Sequence, residues 1–215
     1  MKNDLFSIGP FTVHGYGLMI AIGVLSAYYM VEYRAKKKQM DWEKVFPLTV
    51  WSVLGGFLGS KILYLLTRLP DILANPALLG SSIKDGFVVY GGIIGGILTA
   101  WIYCKCTKWN FWKIFDIAMP AVAMAQGFGR IGCLLAGCCY GIELDPANPI
   151  GIVFHNSAYA PNDVALLPTQ IISSVLDFAN CFVLLALSKK LKTDGQVASC
   201  YLIFYSIGRV IIECF

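Results

Sequence analysis

Six apolar runs, each long enough to cross a hydrocarbon layer as a helix, constrain this 215-residue chain more than any other feature. A crossing takes roughly 17 to 25 helical residues. The runs are Gly15 to Val31, Pro47 to Leu66, Val88 to Cys104, Phe115 to Cys139, Pro168 to Leu187 and Gln196 to Glu213. Hydrophobic residues make up 57% of the chain and charged ones 14%. An ordinary soluble domain carries about 25% charged residues, so this composition in water would leave large apolar areas exposed. The sequence therefore predicts an all-α polytopic membrane protein with about six transmembrane helices, forming a single integral membrane domain over residues 1–215. The first run reads as a retained span, because FSIGPFTVHG precedes it and no small-x-small cleavage pattern follows.

The 17 Lys and Arg residues fall in blocks. Arg34, Lys36, Lys37, Lys38 and Lys44 share one connection, Lys105, Lys108 and Lys113 a second, and Lys189, Lys190 and Lys192 a third. The alternate connections hold only Lys2, Arg68 and Lys84, and residues 140–167 contain neither Lys nor Arg. By the positive-inside rule both termini lie outside the cytoplasm. This arrangement uses the net charge of +4 for orientation. A nucleic-acid partner is not expected, since it would need a basic face with base-stacking groups.

Lys61, Arg130 and Arg209 remain inside the apolar runs. A charge at a helix centre costs roughly 2.5 to 3.5 kcal/mol on insertion scales, so each requires a reason. Tracing the runs in their assigned directions puts all three in the outer half, at the depth of His14 and Tyr90. At 1.5 Å per residue, Arg130 is expected about 14 Å below Cys139 and Arg209 about 9 Å below the chain end. Lys61 can alternatively snorkel to the interface. Arg130 sits in Gly127-Phe128-Gly129-Arg130-Ile131-Gly132, whose glycines permit close approach of a ligand or of another helix. Packing accounts for the glycines and leaves the arginine unexplained. Glu213 is one helical turn from Arg209 and able to pair with it, while no acidic residue is obviously placed to neutralise both arginines. A guanidinium matches phosphate by bidentate hydrogen bonding, which makes a phospholipid headgroup the first candidate ligand.

Other polar residues have plainer readings. Asp177, between Ser174 and Asn180, is expected to hydrogen-bond another span, and Asp116 to sit at the inner interface. The eight cysteines are scattered. Cys133, Cys138 and Cys139 lack a C-x-x-C pair and a histidine at ligand spacing, so they read as small buried residues, and no metal is expected.

Five segments, in order, resemble one family. FSIGPFTVHGYGLM carries His14, Tyr16 and Gly17; YGGIIGG runs from Tyr90 to Gly96; GRIGCLLAGCCYG from Gly129 to Gly141; LPTQ from Leu167 to Gln170; and YSIGRVIIECF from Tyr205 to Phe215. Together they resemble the prolipoprotein diacylglyceryl transferases. The resemblance implies a transferase of the bacterial inner membrane, with its active site toward the outer face. It would move the diacylglyceryl group of phosphatidylglycerol onto the lipobox cysteine thiol of a prolipoprotein, with no cofactor. By motif, Arg130 and Arg209 would hold the lipid phosphate, and Tyr90 and His14 would complete the catalytic set. Tyr16, Gly91, Gly92, Gly129, Gly132, Lys61 and Gln170 would form the substrate-binding set.

Several positions depart from the family pattern. Tyr90 stands where better-known members have histidine, and a phenol is a poor base near neutrality. Cys133, Ala136 and Cys138 replace asparagines and a glutamate. Leu167 replaces a frequent histidine, and Ile172 and Ser173 a tyrosine and a glutamate. The family usually continues into one more span beyond Phe215. Two alternatives stay open: a paralogue with a different acceptor, and a small membrane transporter.

Overall fold

The computed structural model describes residues 4–8, 11–75, 86–146, 148–155, 157 and 159–214. Lys2, Lys84 and Phe215 lie outside them. The chain begins with an antiparallel ribbon of β1 (Asp4–Ile8) and β2 (Phe11–His14). Helices α1 (Gly15–Lys37), α2 (Val45–Thr67), α3 (Leu69–Ala74), α4 (Val89–Cys106) and α5 (Phe111–Ala136) follow. The two-residue strands β3 (Ile152–Val153) and β4 (Ala165–Leu166) pair antiparallel before α6 (Thr169–Leu187) and α7 (Gln196–Glu213). Two small ladders thus correct the all-α expectation. They satisfy backbone groups in segments that have no helical partners.

Five helices are long and apolar enough to cross a membrane: α1, α2 with its preceding turn, α4, α5 and α6. The sixth expected run coincides with the 18-residue α7. Helix ends differ from the apolar boundaries for identifiable reasons. Arg34, Lys36 and Lys37, expected in a loop, continue α1, and Lys105 and Lys113 also lie on helices. Basic residues are good helix formers, and those of α1 and α4 lie at the C-terminal end, which the helix dipole favours. Arg34 is buried, within coulombic reach of Asp116. Conversely, α5 stops at Ala136 instead of Cys139. Gly137 takes φ +73°, its N–H bonds the Leu134 carbonyl, and the Cys138 N–H bonds that of Cys133. This Schellman closure ends the helix at a glycine. Arg130 consequently lies about 9 Å from the helix end, not 14 Å.

The chain divides into two compact units, Met1–Arg34 with Phe115–Phe215, and Ala35–Ile114. In the second unit α2 and α4 run antiparallel with glycine against glycine. Gly59 meets Gly91 and Gly95, and Gly55 meets Gly95 and Thr99, so closely that an added Cβ would overlap the opposing atoms. Lipid offers no hydrophobic gain for helix association, so this close backbone packing is what joins the pair.

In the first unit, Met119 and Ala123 of α5, Cys181 and Leu184 of α6, and Val197, Ala198 and Tyr201 of α7 form a core. Asp116 is buried. It accepts hydrogen bonds from the Gly195 and Ala198 N–H groups at 2.8 and 2.9 Å. Those donors start α7, and no side chain on α7 itself caps them. The carboxylate of one helix thereby seats the first turn of another.

Candidate active site

Helix α6 reverses the soluble pattern. Its buried face carries Thr169, Gln170, Ser173, Ser174, Asp177 and Asn180, while Ile171, Val175, Phe182 and Val183 are exposed. With hydrocarbon as the surrounding solvent, polar groups must find partners inside. Ser174 Oγ donates to the Gly127 carbonyl of α5 at 3.0 Å. Gln170 Nε2 donates to the Cys138 carbonyl and Thr169 Oγ1 to that of Cys139, both at 2.8 Å. The Thr-Gln pair of the LPTQ segment therefore fastens the turn that ends α5. Gln170 is buried, and its Oε1 has no hydrogen-bond partner among the described residues.

Between α5, α6 and α7 lies a cavity lined by Arg130, Ser173, Asp177, Asn180, Tyr205 and Arg209. Both arginines expected at one depth thus reach one space. Asp177 is within coulombic reach of both guanidinium groups, which corrects the expectation that no carboxylate was placed to neutralise them. It went unrecognised because sequence does not reveal which neighbour a mid-helix aspartate faces. Arg209 Nη2 also donates to Glu213 Oε1 at 2.6 Å, the i,i+4 pair. Arg130 makes no hydrogen bond or ion pair among the described residues, and Asn180 Oδ1 is buried without a partner. The cavity walls thus present two guanidinium groups with the Asp177 carboxyl group and neutral polar groups beside them.

Tyr16 packs against Gly132, where a Cβ would meet the tyrosine ring at 3.2 Å. Its phenol is within coulombic reach of Arg130. Gly132 thus makes room for a neighbouring ring, whereas Gly129 has open space on its Cβ side. His14 ends β2 and is exposed.

The other candidates belong to the second unit. Tyr90 is 74% exposed on the first turn of α4. Gly91 faces Gly59 and Leu63, and Gly92 faces Ser60 and Gly56, so both lie in helix packing. Lys61 Nζ donates to the Gly86 carbonyl at 3.1 Å and lies over the Phe87 ring at 4.5 Å. It thereby ties α2 to the segment leading into α4.

Fold and site define a helical, multi-pass membrane protein with a cationic cavity among its helices. The sequence pattern of prolipoprotein diacylglyceryl transferase matches residues 3–215, and the chain belongs to that family of transferases. A phosphatidylglycerol–prolipoprotein diacylglyceryl transferase of Clostridium tetani is 45% identical over 99% of this chain and 84% of its own length. A second of that name, from Clostridium perfringens, is 43% identical over 99% of this chain and 82% of its own. One from Dehalococcoides mccartyi is 31% identical over 96% and 79% respectively.

Proposed function

We propose that this chain transfers the diacylglyceryl group of phosphatidylglycerol to the lipobox cysteine thiol of a prolipoprotein. It would do so as a single six-span domain of the bacterial inner membrane, with both termini and the site toward the outer face. The observation that carries this reading is the meeting of Arg130 and Arg209 at one cavity in a chain of this family. Phosphatidylglycerol and prolipoprotein are the substrates in the names of its relatives. The block pattern of Lys and Arg supports the orientation.

The reaction removes a proton from the thiol, forms a bond from sulfur to a glycerol carbon, and breaks the bond from that carbon to the phosphate oxygen. Glycerol phosphate leaves with the electron pair. Negative charge grows on the leaving oxygen, and preorganised donors in a water-poor cavity stabilise it best. A guanidinium has five N–H donors. Arg209 keeps donors beyond the one engaged by Glu213, and Arg130 keeps its whole set. Asp177 offsets the repulsion between the two cations until the phosphate arrives. Tyr16 borders the headgroup site, and the His14 imidazole accepts the thiol proton.

The test is to incubate purified protein with phosphatidylglycerol and a lipobox peptide. The peptide should gain one diacylglyceryl group with stoichiometric release of glycerol phosphate, while its Cys→Ser analogue stays unmodified. If no thiol peptide gains mass, the reading is wrong.

A further inference from the structure

Three thiols meet where α5 ends. The Schellman closure folds residues 138 and 139 back beside the last helical turn, and the Sγ atoms of Cys133, Cys138 and Cys139 all lie within 4.8 Å of one another. A tetrahedral ion with metal–sulfur bonds of about 2.3 Å holds its sulfurs about 3.8 Å apart. Closing the cluster onto such an ion therefore needs shifts of about 1 Å or less, within the range of side-chain rotation.

Two further observations describe how the trio is held in place. The turn is fastened by Gln170 and Thr169 through the Cys138 and Cys139 carbonyls, beside a contact from the Cys138 thiol to the Cys133 carbonyl at 3.7 Å. Cys139 also holds φ +58°, a left-handed conformation that costs a residue with a Cβ roughly 1–2 kcal/mol and persists where the surroundings impose it. The chemistry then distinguishes two uses. A disulfide employs two sulfurs and leaves the third idle, whereas a soft cation engages all three.

We propose that Cys133, Cys138 and Cys139 form a three-thiolate site for one ion of the zinc class, with its fourth position open to an incoming thiol. Cys139 is exposed and the other two are half-buried, so the cluster can be reached from outside. Each thiol releases its proton to solvent on ligation, and zinc changes no oxidation state. The metal site rests on the geometry alone. The identification of the incoming thiol as a prolipoprotein cysteine rests on the transfer reading above. For that thiol, ligation would favour loss of the proton that the His14 imidazole accepts in that reading.

The full chain, purified in detergent under reducing conditions, should bind one Co²⁺ or Zn²⁺ per protein. Cobalt should show thiolate charge-transfer absorption and the strong visible bands of a tetrahedral centre. Cys133→Ser, Cys138→Ser and Cys139→Ser should each lower occupancy at limiting metal by about tenfold or more. Cys104→Ser and Cys200→Ser should leave it unchanged, and circular dichroism should confirm helicity in every variant. A lipobox peptide should raise the charge-transfer intensity by about one third, four thiolates replacing three, and its Cys→Ser analogue should not. Wild-type protein that takes up no metal, a triple serine variant that keeps it, or a disulfide within the trio in its place would overturn the site. A cobalt spectrum unchanged by the peptide overturns the open position whether or not transfer activity is found, which separates this failure from failure of the transfer reading.

Discussion

At the scale of single residues, the cavity brings Arg130, Asp177 and Arg209 together from three helices. Arg130→Ala and Arg209→Ala should abolish diacylglyceryl transfer while the protein still inserts in the membrane. Arg130→Lys should restore the charge and still lower kcat/KM about 10- to 100-fold, because an ammonium lacks the planar fork and each lost charge-assisted bond is worth roughly 1.5–3 kcal/mol. Wild-type turnover in both alanine variants would remove the phosphate role. The arginines were legible in the sequence because a cation inside an apolar run is an anomaly at any position. Asp177 was visible as a polar residue but not as their neighbour, since its helical face has meaning only once α5 and α7 are placed. Gln170 was legible as part of a motif, yet its bond to the Cys138 carbonyl depends on a turn that apolarity does not mark.

At the scale of helices, glycine decides one contact and a carboxylate another. Gly91→Ala should destabilise the protein by about 1–3 kcal/mol, the usual penalty of overpacking, because the new methyl group would overlap the Gly59 carbonyl. Gly129→Ala meets nothing within 4 Å and should be neutral or stabilising by up to about 1 kcal/mol through helix propensity. Thermal midpoints in one detergent compare the two; equal losses would contradict the packing account. Asp116→Asn leaves one acceptor oxygen for two N–H donors, and should cost about 1–3 kcal/mol and speed hydrogen exchange at Ala198. An unchanged exchange rate would show that α7 holds its first turn by other means. The run of glycines after Tyr90 was plain in the sequence. Its partner stripe of Gly55, Gly56 and Gly59 was not, because periodicity identifies an interface without saying which helix fills it.

At the scale of the whole molecule, the helices followed the apolar runs closely, because hydrocarbon gives an unpaired backbone no alternative partner. The short strands and the basic extensions of α1 and α5 lie where that constraint ends, so apolarity was silent there. Orientation has a direct test. A cysteine introduced at Asn162 should react with an impermeant maleimide added outside intact cells, read as mass on its own peptide because native thiols are also present. Modification only from the cytoplasmic side would invert the topology. The seat that Asp116 provides for α7 also bears on the order of assembly. During synthesis α5 enters the membrane well before α7, so Arg130 spends that interval without the helix that carries Arg209. The cavity that Arg130 and Arg209 share is therefore completed late in biogenesis, and a ribosome stalled before α7 leaves an intermediate without its Arg209 wall.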